Sequence, residues 1–118
     1  MKLKYFRIAK RLSYKSDSPH FQLGSVIVHG NKILGLGFNR NKTSPKSSHP
    51  WHFIHSEIDA LKNCSNKPID ATIYVFRQNK HGELAEAKPC KYCLQSLKNY
   101  GIKKICYTVA NGFKEEKI

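Results

Sequence analysis

The sequence predicts an α/β domain, a mixed sheet with helices packed against it. Three observations carry that prediction. Helical and strand-like periodicities alternate along the chain in the order α-β-β-α-β-α-β with a short final strand. Turn residues punctuate them at short intervals. The 118 residues, 40% of them hydrophobic, suffice for one core and one domain over 1–118.

Residues 3–14 read as an amphipathic helix, because Tyr5, Ile8, Ala9 and Leu12 recur at helical spacing while basic residues take the other faces. A polar loop follows over 15–22. Leu23–His29 and Lys32–Phe38 are strand-like, and Gly30-Asn31 between them supplies a hairpin turn. Residues 39–52 form the longest irregular stretch, polar except near His49, Trp51 and His52. Loops of that length in small domains are commonly functional.

Ile54, Ile58 and Leu61 space a second helix over 54–63, and Ala71–Phe76 is a β-prone run. A polar insertion over 77–88 turns at His81-Gly82. Pro89 suits the first turn of a third helix that Gly101 ends, and Lys103–Val109 is again β-prone. Ala110-Asn111-Gly112 is a turn signal before a short last strand, Phe113–Ile118.

Charge is the outlying property. Lys and Arg number 21 against 8 Asp and Glu, a net of +13. Residues 1–50 hold ten of the cations and one acid, Asp17. Such an excess points to a polyanionic partner, nucleic acid first, with an ordinary basic surface as the plain alternative. No run approaches the ~20 apolar residues of a membrane span, and no apolar stretch follows the basic N-terminus as in a secretory signal. The expectation is a cytoplasmic protein without a membrane partner. In that reducing setting Cys64, Cys90, Cys93 and Cys106 serve as metal ligands or buried thiols rather than disulfides.

Chemistry concentrates in His55-Ser56-Glu57 and in Pro89-Cys90 followed by Cys93. Cysteines three apart at a helix start share a face and can reach one metal. Two thiolates and an imidazole suit Zn²⁺, and three protein ligands leave a fourth position for water, as in catalytic sites. The field at a helix N-terminus favours the thiolates. Glu57 is too near His55 in sequence to be a comfortable fourth ligand, and is well placed as a proton carrier beside the open position. A structural zinc site would have to recruit Cys64 or Cys106, which read better as buried thiols.

His-x-Glu followed by Pro-Cys-x-x-Cys resembles the zinc signature of the cytidine and deoxycytidylate deaminase superfamily, a motif already known for base deaminases. The resemblance spans nearly the whole chain, in element order. It is strongest to small phage and bacterial CMP/dCMP-type enzymes that run Gly101-Ile-Lys-Lys-Ile-Cys-Tyr-Thr108 after the cysteine helix. It implies a three-layer α-β-α fold with about five strands and helices on both faces. It also implies that His55, Cys90 and Cys93 bind zinc, and that Glu57 carries protons from the attacking water to the ring nitrogen and the departing amine. Asn39 resembles the family's substrate-contacting Asn. Trp51 and Tyr107 are further candidates for substrate contact, at a pocket mouth and a pocket wall.

Two departures from relatives matter for substrate. Polynucleotide cytidine deaminases carry Ser-Trp-Ser before Pro-Cys, where this chain has Glu86-Ala87-Lys88. Many tRNA adenosine deaminases carry Met between the cysteines, where this chain has Lys91-Tyr92. The parallel branch of the superfamily has a further helix and a long fifth strand, and Gly112 offers instead an antiparallel last strand. The expected reaction is deamination of cytosine to uracil. The basic excess favours single-stranded nucleic acid as substrate, DNA ahead of RNA. Free deoxycytidylate is the alternative, followed by adenosine in RNA and by a non-enzymatic basic zinc module that binds nucleic acid. Family members are often oligomeric, so a homo-oligomer is compatible.

Overall fold

Strict alternation along the central strands sorts apolar side chains onto two faces of one sheet. A computed structural model of the chain describes residues 1–18, 21–41 and 53–118. Its elements are α1 (Leu3–Ser13), β1 (Phe21–His29), β2 (Lys32–Phe38), β3 (Arg40–Asn41), β4 (Phe53–Ile54), α2 (Ser56–Lys62), β5 (Thr72–Asn79), α3 (Lys91–Asn99), β6 (Lys104–Val109) and β7 (Gly112–Lys117). Five strands form one sheet in the order β2-β1-β5-β6-β7, and β3 pairs with β4 in a separate ribbon. Only β5 and β6 run parallel; the other neighbours in the sheet are antiparallel. A parallel pair needs a crossover, and the segment containing α3 provides it.

Val26, Val28, Tyr74, Phe76 and Cys106 meet Tyr5, Phe6, Ala9 and Leu12 of α1 on one face. On the other, Ile27, Ile73, Val75, Ile105 and Tyr107 pack with Ala60 and Leu61 of α2 and Leu97 of α3. This is the three-layer arrangement with helices on both faces.

Close approach of helix to sheet depends on glycine at one position that matters for the site. A Cβ at Gly37 would fall on the backbone of Ser56 and Ala60 in α2. Gly37→Ala is expected to cost about 1–3 kcal/mol, read as a lowered midpoint in thermal unfolding, because α2 must move off β2.

Local details correct several expectations. Pro89 does not sit in the first turn of α3: Cys90 is the N-cap and Lys91 the first helical residue. The long irregular stretch is bracketed by β3 and β4, and Trp51, His49 and His52 lie outside the described residues. The third long strand runs on to Asn79, so Arg77 and Gln78 belong to β5 and not to the insertion. The last strand is antiparallel to β6, returned by a turn at Ala110-Asn111. Gly101, at φ +92°, ends α3 as its position suggested. Among the described residues, no helix is long and apolar enough to cross a membrane.

Candidate active site

Two helix starts converge on the site. His55 is the N-cap of α2 in an extended conformation, which swings its side chain out of the helix that follows. Cys90 is the N-cap of α3, and its Sγ accepts the Cys93 N–H at 3.4 Å. Capping therefore sets one sulfur at the helix mouth and the other one turn in, on the same side.

A buried carboxylate locks α2 in place. Asp59 accepts the Phe38 N–H at 3.1 Å and both terminal guanidinium nitrogens of Arg40 at 2.7 Å. Its own N–H bonds the His55 carbonyl at 3.0 Å. The pair thus joins the exit of β2 and the β3–β4 ribbon to the turn that bears the histidine. Arg40→Ala leaves a charge that is 3% exposed without its fork. It is expected to cost about 1–3 kcal/mol, measured by urea denaturation; the partial exposure of Arg40 keeps the figure below that of a fully buried pair.

The candidate metal donors meet. His55 Nδ1 lies 3.1 Å from Cys93 Sγ and 3.8 Å from Cys90 Sγ, and the three donor atoms all fall within 4.8 Å of one another. Tetrahedral zinc with ordinary bond lengths requires N to S separations of about 3.5 Å. Burial, with the negative charges of Glu57 and Cys90, pushes the Cys93 thiol up. A divalent cation among these donors offsets that repulsion and stabilises the thiolates. The donor set fits Zn²⁺.

Glu57 lies in the first turn of α2, only 3% exposed. Ser56 Oγ donates to its Oε1 at 2.7 Å, and the Ser25 hydroxyl is 2.8 Å from that of Ser56. Burial pushes the Glu57 carboxyl up, while Ser56 and the charge of Arg77 pull the other way.

These groups line a cavity of about 420 Å³ together with Phe21, Leu23, Asn39, Arg77 and Lys88. Asn39 reaches the wall, but its carboxamide accepts the Leu23 N–H at 2.8 Å and donates to the Phe21 carbonyl at 3.0 Å, tying the end of β2 to the start of β1. Tyr107 stands in the core on β6 and is not among the described lining residues.

Phe21, Arg77 and Lys88 escaped the sequence reading. A signal for Arg77 existed: Ile73, Val75 and Arg77 share one face of β5, the face that α2 and α3 cover. Ending the strand at Phe76 hid it. Cys64 and Cys106 stay apart from the donors, bonding the Ala60 carbonyl and Glu115 respectively.

Residues 1–109 match the family model for the cytidine and deoxycytidylate deaminase zinc-binding region. A probable deoxycytidylate deaminase of Caenorhabditis elegans is 29% identical over 119 residues, covering 88% of this chain and 55% of that protein. The riboflavin biosynthesis protein RibD of Buchnera aphidicola is 31% identical over 108 residues, covering 86% of this chain and 24% of that protein. The chain thus spans about half the length, or less, of these curated relatives. Among solved structures, a dCMP deaminase from the cyanophage S-TIM5 superposes with a TM-score of 0.70 at 20% identity, over 91% of this chain and 84% of that one. A cytidine deaminase from Burkholderia pseudomallei gives 0.74 at 17% identity, over 99% and 92%. At such identities the structures establish the fold.

Proposed function

The chain belongs to the cytidine and deoxycytidylate deaminase family, and on that premise we propose that it hydrolyses the exocyclic amine of a cytosine base, converting the base to uracil and releasing ammonia. The observation that carries this reading is the meeting of His55 Nδ1 and the Cys90 and Cys93 sulfurs beside the buried Glu57 carboxyl in one cavity. Zinc held by those three donors supplies the Lewis acidity that makes water nucleophilic at neutral pH.

The remaining work falls to the chain. Glu57 takes a proton from the attacking water and delivers it to the ring nitrogen. It then carries a second proton to the departing amine, which leaves as ammonia. Ser56 fixes the carboxylate by donating to Oε1. Phe21 and Leu23 supply an apolar wall for the base. Asn39, tied to β1 by both ends of its carboxamide, shapes the cavity wall beside them.

The substrate the cavity suits best is a single cytosine nucleotide, deoxycytidylate first. Its volume takes one nucleotide, and the names of the nematode and cyanophage relatives agree. A strand substrate has one observation in its favour: Lys4, Arg7, Lys10, Arg11 and Lys15 are exposed on α1 and just beyond it. Uracil formation by the zinc-loaded protein from deoxycytidylate and from a cytosine-containing single strand separates the two. Turnover of deoxycytidylate is expected. Turnover of the strand alone, falling steeply as salt rises, overturns the mononucleotide reading.

A further inference from the structure

We propose that Arg77, with Lys88 on the same cavity, anchors a phosphate of the substrate, so that the enzyme takes a phosphorylated cytosine nucleotide in preference to the free nucleoside. The proposal rests on the deaminase reading above and extends it to the group that holds the far end of the substrate.

Arg77 leaves the sheet on the face where α2 and α3 place the metal donors. Its guanidinium is held from two sides. The Cζ atom lies 3.7 Å from the centre of the Phe21 ring, and Nη1 donates to the Glu86 carbonyl at 3.0 Å. The Nε–H is buried and has no acceptor among the described residues. An arginine held against an aromatic ring presents a planar fork that matches phosphate oxygens and loses little freedom on binding.

Charge points the same way. Apart from the metal donors, the ionisable residues lining the cavity among those described are Arg77, Lys88 and Glu57. Glu57 is bonded by Ser56 and occupied with proton transfer. Lys88 pairs with Glu116 at 3.2 Å in an exposed contact that an incoming anion can replace. Cytosine itself is neutral at pH 7. The anion that a nucleotide brings into this cavity is its phosphate, a monoester in deoxycytidylate or a diester in a strand.

The test is Arg77→Gln, with Arg77→Lys as the variant that keeps the charge but loses the fork. In steady-state kinetics of the zinc-loaded protein, Arg77→Gln is expected to raise the KM for deoxycytidylate at least tenfold more than it raises that for deoxycytidine. Arg77→Lys should recover part of the loss. An equal fall in kcat on both substrates overturns the proposal, because it makes Arg77 a counter-charge for Glu57 and not a phosphate ligand.

A binding arm stands apart from turnover, so that failure of the deaminase reading and failure of this one are distinguishable. Calorimetry with dUMP, deoxyuridine and a uracil-containing trinucleotide compares the wild type with both variants. At least tenfold weaker dUMP or trinucleotide binding by Arg77→Gln, with deoxyuridine unaffected, supports the anchor. Loss confined to dUMP assigns it to the monoester, and loss for the trinucleotide assigns it to the diester. Unchanged affinity for both phosphorylated ligands overturns the proposal even in a catalytically active protein.

Discussion

Glu57→Gln is expected to lower the rate of deamination by about 10²–10⁴-fold while leaving zinc binding and the fold in place. The side chain is buried among Ser56, Cys93 and the cavity floor, so an amide of the same shape fills its space. It cannot exchange a proton with water and then with the ring. A buried carboxyl whose burial opposes ionisation contributes little to stability. Thermal unfolding should therefore give a midpoint at or above that of the wild type. Metal analysis should find zinc retained. A variant that keeps its turnover removes Glu57 from the reaction, and a variant that loses zinc makes it a ligand.

Loss of a donor should have the opposite signature. Cys93 is fully buried and lies 3.1 Å from His55 Nδ1, so Cys93→Ala removes the innermost of the three donors. Deamination and bound zinc are expected to disappear together. Ligand linkage gives the size of the stability change. At a thousandfold excess of zinc over its dissociation constant, binding contributes about 4 kcal/mol. For a domain of this length that corresponds to a fall of roughly 15 °C in melting temperature on adding a chelator. The wild type should show that fall and Cys93→Ala should not respond to chelator at all. The same experiment on Cys106→Ala, whose thiol is on the opposite face of the sheet, should leave the chelator response intact.

How much of this was legible beforehand follows from which residues interact locally. The metal donors and Glu57 were readable because their spacing is set by two helix starts. The α1 stripe, the Gly30-Asn31 hairpin and the Gly101 stop were readable for the same reason, each being a short-range signal. The β3–β4 ribbon was not, since two-residue strands carry no periodicity. The Arg40–Asp59 lock was not, because it joins residues 19 apart through a bond that only the fold creates.

Pro89 misled by one position. It precedes the N-cap, so the cysteine side chain and not the proline ring starts the helix. Arg77 is the instructive miss. A charged residue after five β-prone ones looked like the end of a strand, yet β5 continues because β1 pairs with it as far as Asn79 and the cavity receives the charge. The direction of β7 turned on the Ala110-Asn111 turn, and its charged residues Lys114, Glu115, Glu116 and Lys117 suit an exposed sheet edge.

On the function proposed above, His55, Cys90, Cys93 and Glu57 form one zinc-dependent deaminase centre. Its most direct measurement is ammonia release from deoxycytidylate by the protein stripped of metal and then reloaded with one equivalent of zinc. Ammonia and dUMP are expected in equal amounts from the reloaded protein, and none from the stripped one. A folded, zinc-saturated protein that releases no ammonia from deoxycytidylate or from any other cytosine substrate, or a stripped protein that releases it equally fast, would contradict it.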